Sequence, residues 1–163
     1  MPEKLFLLMP LVKWVRGTIE KMNVVRSKEL KDWKVCWLQM YMELGGKSCK
    51  HLTGKDGSGD KRCPMDAAYG LWRLGRIKGS GKSLGQTLKQ VDESYGPNAV
   101  YAVLVLDLLE KNPTAIDWNQ DAMWCSVRDS YRRDLGKEAA GTAQGALQIA
   151  LGLFSEKQIV PTG

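Results

Sequence analysis

Histidine occurs once in these 163 residues and phenylalanine twice, and no two of the four cysteines form a C-x-x-C pair. Each scarcity removes a class of chemistry. The only histidine, His51, sits in a polar stretch with no carboxylate at a spacing that would orient it, so no serine or cysteine nucleophile acquires a base from the pattern. Cys49, His51 and Cys63 form C-x-H-x11-C, which with Cys36 or Cys125 could complete a tetrahedral zinc site. That spacing belongs to no standard ribbon or finger. The cysteines are therefore read as separate reduced thiols, and no cofactor is expected. The H-x-E and P-C-x-x-C pattern of zinc deaminases is missing, as is any paired acidic motif. Enzyme activity has little to stand on.

Long apolar runs are lacking too. LFLLMPLV at residues 5–12 contains Pro10 and leads into KWVR rather than a small-residue cleavage site. It is far short of the ~20 residues a spanning helix requires, so neither a signal peptide nor a membrane span is expected and the location is read as cytoplasmic.

What remains is an ordinary soluble composition with two biases. Apolar residues make up 44% and charged residues 26%, enough for one core at this length. Six tryptophans outnumber the two phenylalanines. Because each indole carries an N–H that needs a partner, some of the six are expected at the core's edge or in a groove. The second bias is a net charge of +6.

Where the sequence has a period, it is helical. Leu8, Val12, Val15, Ile19 and Met22 step by three and four, predicting a helix from about residue 11 to 23 after a break at Pro10. Ser27 is placed as the cap of a second helix carrying Leu30, Trp33, Trp37, Met40 and Leu44, closed by Gly45 and Gly46. Residues 45–62 have no period and read as a long exposed loop. Pro64 suits the first position of a helix ending at Gly75, with Cys63 just outside, and Ser83 with Gln86 fits a capping box for a helix ending at Gly96. The run AVYAVLVLDLL at 99–109 lacks alternation and follows a proline, so a buried helix is preferred to a strand. Asp117 is placed at the start of the next helix and residues 138–155 form the last, while the tail IVPTG is expected to fray. The expectation is an all-α protein, a single compact domain of six or seven helices. Residues 1–26 are read as an N-terminal amphipathic helical extension and 27–160 as the helical domain.

GSGKS at 79–83 invites a nucleotide reading. A phosphate loop of the G-x-x-x-x-G-K-[ST] type follows a buried strand, whereas here Arg76 stands where the first glycine belongs and GLWRLG before it reads as helix. The stretch is a Gly-rich linker. A helix-turn-helix fails on length, since Gly75 to Ser83 exceeds its turn of about three or four residues.

Charge placement is the functional signal. From Lys47 to Lys89 there are ten basic residues against Asp56, Asp60 and Asp66. We read Lys47, Lys50, Lys55, Lys61, Arg62, Arg73, Arg76, Lys78 and Lys82 as one anion-binding surface, for nucleic acid or another polyanion, with exposed Trp or Tyr available to stack on bases. The protein is expected to bind rather than to catalyse. The alternative is a protein-interaction or homo-oligomeric assembly module in which the apolar face of 11–23 or 139–154 meets a partner.

RCPMDAAYGLWRLGRIKG, AVYAVLVLDLLEKNP and DAMW resemble segments of a family of small uncharacterised bacterial helical proteins, over roughly residues 30–160. The resemblance rests mainly on Cys63-Pro64 opening a helix that finishes in Gly75-Arg76-Ile77-Lys78-Gly79. It implies a bacterial helical domain and carries no activity.

Overall fold

Every position from Ala99 to Leu106 is apolar or aromatic, and a helix of that kind has to be surrounded. The computed structural model describes residues 11–45, 62–80, 85–141 and 144–160. Among these lie seven α-helices: α1 (Leu11–Met22), α2 (Leu30–Glu43), α3 (Arg62–Arg73), α4 (Leu88–Tyr95), α5 (Pro97–Lys111), α6 (Gln120–Leu135) and α7 (Gln144–Ser155). A 3₁₀ turn, Pro113–Asp117, follows α5. The apolar run becomes α5, with Pro97 in its first turn, and it packs against α3, α4, α6, α7 and the 3₁₀ turn. The protein is thus a single compact helical domain built round one buried helix.

α1 shares this core. Trp14, Val15, Ile19 and Met22 are buried together with residues of α2, α3, α5, α6 and α7. The described part of the expected 1–26 extension is therefore joined to residues 27–160 by common packing.

The tryptophans differ from expectation. Trp14 stacks on Trp37 at 4.2 Å between ring centroids, Trp37 lies 6.1 Å from Trp33, and Trp33 stacks on Trp72 at 5.1 Å. Trp14 donates its indole N–H to the Trp37 carbonyl at 2.8 Å and Trp33 donates to the Met65 carbonyl at 3.2 Å. Backbone carbonyls supply Trp14 and Trp33 with the partners that surface water was expected to give, whereas Trp37 is fully buried with no partner for its Nε1 among the described residues. Of the six, Trp118 alone is exposed, at 39%. Tyr41, Tyr69, Tyr101 and Tyr131 are buried as well. Of the rings expected to stack on bases, only Trp118 is exposed, with Tyr95 half-buried and the others in the core.

Several helix ends also shift. α2 starts at Leu30 behind Glu29, which makes no side-chain cap, rather than at Ser27. The capping box is Thr87 with Gln90, not Ser83 with Gln86, because a start at Ser83 would put Gly85 inside the first turn. Asn119 caps α6 by accepting from the Ala122 N–H at 2.8 Å, and Asp117 lies in the 3₁₀ turn. The last helix begins at Gln144 instead of 138. The Gly141 carbonyl accepts from Trp124 Nε1 at 2.9 Å and the Ala140 N–H donates to the Tyr101 hydroxyl at 2.9 Å, so α5 and α6 side chains take the backbone groups a helix would have used.

A candidate cationic groove where two helices end

α3 and α7 terminate in the same way. At the end of α3 the Gly75 N–H donates to the Trp72 carbonyl and the Arg76 N–H to the Leu71 carbonyl, a Schellman closure with Gly75 at positive φ. At the end of α7 the Lys157 N–H donates to the Phe154 carbonyl and the Gln158 N–H to the Leu153 carbonyl. Lys157, with φ 58°, occupies the position Gly75 fills in the other helix. Two residues past each closing residue, Ile77 and Ile159 form an isolated antiparallel bridge. It is held by the Lys78 N–H on the Gln158 carbonyl at 2.8 Å and the Val160 N–H on the Arg76 carbonyl at 2.7 Å. Residues 159 and 160 are therefore paired rather than frayed; Pro161, Thr162 and Gly163 lie outside the described residues.

Arg76 is drawn inside by this pairing. Its Nε donates to the Val160 carbonyl at 2.9 Å and its Nη2 to Glu110 Oε1 at 2.6 Å. Only 3% of the residue is exposed, so its charge is spent on the fold and the surface role expected of it is corrected. Nearby on α5, burial pushes the Asp107 carboxyl above its ordinary value, with the Arg76 guanidinium opposing the shift.

Over the bridge lies a cavity of about 620 Å³, lined among the described residues by Lys78, Glu110, Ile116, Phe154, Ser155, Lys157 and Ile159. Its size falls within the ~300–1,000 Å³ of small-molecule sites. Ile116, Phe154 and Ile159 are half-buried and give it an apolar wall; Lys78 and Lys157 are exposed at its edge. Glu110 is committed to Arg76. Among the described residues neither lysine ammonium has a carboxylate within 4.0 Å, whereas six other cations do. Arg16 of α1 leans on the same turn, with Nη1 donating to the Lys78 carbonyl. A smaller cavity of about 130 Å³ between α5 and α6 is lined by Asp107, Lys111, Ser126, Ser130, Arg133 and Asp134 among others.

The expected anion-binding set is only partly on view. Lys47, Lys50, Lys55, Lys61 and Lys82 lie outside the described residues, as do Cys49 and His51; Arg62 opens α3. Arg73 is half-buried, and its Nε is buried with no hydrogen-bond partner among the described residues. Lys78 is exposed. Cys63 Sγ accepts from the Ala146 N–H at 3.3 Å, and no metal-holding group of His, Cys, Asp and Glu occurs among the described residues. Sequence reading missed Arg16, which donates to the Lys78 carbonyl, and Lys157, which lines the same groove from the far end of the described chain. The two apolar helix faces named for a partner are in use, since Trp14, Val15, Ile19 and Met22 of α1 and Ala146, Leu147, Ile149, Ala150 and Leu153 of α7 are all core.

No helix among the described residues is long and apolar enough to cross a membrane. Comparison with protein-family models, with curated proteins and with solved structures finds no match to this chain.

Proposed function

We propose that this is a non-catalytic cytoplasmic binding protein that takes nucleic acid or another polyanion on the face bearing Lys78. The observation that carries the reading is that Lys78 and Lys157 flank one groove, exposed and unmatched by acid among the described residues, with Arg16 against the same turn. Unmatched cations gathered on one side attract phosphate, and released counterions drive the association. Lys47, Lys50, Lys55, Lys61 and Lys82 enter the reading through their charge in the sequence alone.

Because Trp118 is the one exposed tryptophan of the six, contact is mainly to phosphate, and sequence preference should be weak. Fluorescence binding to duplex DNA over a salt series tests the reading. Neutralising five phosphates gives a slope of log affinity on log salt of about −4.5. No retention at low salt overturns it.

A second reading has an observation of its own. Val35 and Met42 on α2 are 56% and 53% exposed, two turns apart, with half-buried Leu38 between them. This ridge would serve an interaction or assembly module, and a concentration-independent monomer in sedimentation counts against it.

A further inference from the structure

We infer that the groove at the joined ends of α3 and α7 binds a single-chain anionic amphiphile, a free long-chain carboxylate. A polyanion would meet only its edge. Ile116, Phe154 and Ile159 present an apolar wall that phosphate cannot cover, and hydrocarbon can. The edge asks for negative charge: Lys78 and Lys157 supply two ammonium groups, Ser155 lines the same groove, and Glu110, the one lining acid among the described residues, is already held by Arg76. One carboxylate head on the lysines and one hydrocarbon body along the wall satisfy both parts together.

Lys157 gives the second, independent reason. The closing position of a Schellman motif favours glycine, and the equivalent position on α3 is Gly75. A lysine held at φ 58° is strained by its Cβ. Non-glycine residues held in such conformations cluster at ligand clamps, and here the strain places an ammonium at the mouth of an apolar cavity.

The inference goes beyond the polyanion reading and survives its failure, because a carboxylate with one charge needs no extended basic face. Calorimetric titration of the full chain with octanoate, decanoate and dodecanoate, all below their micelle concentrations, tests it. Affinity is expected to rise about fourfold for each methylene added, the factor for burying a CH₂. Dodecyltrimethylammonium should bind at least tenfold more weakly than dodecanoate. Lys78→Ala should weaken dodecanoate about tenfold.

Lys157→Gly separates a ligand role from a structural one. It should raise the melting temperature by relieving the backbone while weakening dodecanoate about tenfold. An affinity independent of chain length, equal binding of the cationic surfactant, saturation only above the micelle concentration, or a Lys157→Gly protein that binds as well as the parent would each overturn the proposal. If dodecanoate binds and DNA does not, the groove stands and the polyanion reading falls.

Discussion

Arg76 Nη2 lies 2.6 Å from Glu110 Oε1, and 4% of the Arg76 side chain meets solvent against 28% for Glu110. A guanidinium so placed is secured by its partner and by the Val160 carbonyl together. Truncation removes one donor from Glu110 and one from that carbonyl.

Arg76→Ala is therefore expected to cost about 3 kcal/mol, the lower end for breaking a buried pair, since Glu110 keeps some water. Urea denaturation measures it. Arg76→Lys should recover little, because an ammonium cannot reproduce the fork that reaches both acceptors. A loss below about 1 kcal/mol would show that the pair contributes no more than a surface contact.

The Asp107 carboxyl is pushed up by burial, so the folded protein holds its proton more tightly than the unfolded chain does. Stability then falls as pH rises from the ordinary aspartate value of about 3.9 through the raised folded value, and stays lower above it. Asp107→Asn should melt higher than the parent at neutral pH, and the gap should close as pH falls toward about 3.9. A gap that persists in acid would mean the gain has another source.

Position 145 sets helix propensity against packing. A Cβ there would lie 2.6 Å from Pro64 Cδ and 2.9 Å from Pro64 N, atoms that cannot swing aside. Overpacking costs about 1–3 kcal/mol and should exceed the ~1 kcal/mol alanine gains in a helix, so Gly145→Ala lowers the urea midpoint. At Gly152, farther along α7, a Cβ meets nothing within 4 Å, and Gly152→Ala should raise it. Equal shifts in one direction would refute this account of how α7 sits on α3.

Thiol reactivity should follow burial. Cys36 is 5% exposed and its thiol is pushed up by burial, whereas Cys125 on α6 is exposed. With an aromatic disulfide reagent under native conditions, Cys125 should react quickly and Cys36 only as the protein unfolds. Cys125→Ser should remove a fast phase; Cys36→Ser should leave the native trace unchanged.

The helices were legible because local rules place them. The apolar run that becomes α5 and the stripe Trp14, Val15, Ile19 and Met22 repeat at helical spacing, and fold class follows from that alone. Helix starts were less legible where two caps compete: Thr87 with Gln90 and Ser83 with Gln86 share one pattern, and the position of Gly85 decides between them. The tryptophans misled because their N–H partners are carbonyls of Trp37 and Met65, distant in sequence for Trp14 and Trp33.

The groove was half legible. Lys78 stood out through local charge, but nothing local connects it to Lys157, Arg16 or Phe154. Arg76 was misplaced for the same reason, since Glu110 and Val160 reach it only after the chain has closed on itself.

The bridge between Ile77 and Ile159 sets an order of events during synthesis. The ribosome needs roughly 4 to 16 seconds, at ~5–20 residues per second, to make the stretch separating the two isoleucines. Throughout that interval a nascent chain holds Arg76 with no Val160 to receive it. The groove likewise waits for Lys157 and Ile159, so a chain released before them would hold most of the described helices and lack one wall of the groove.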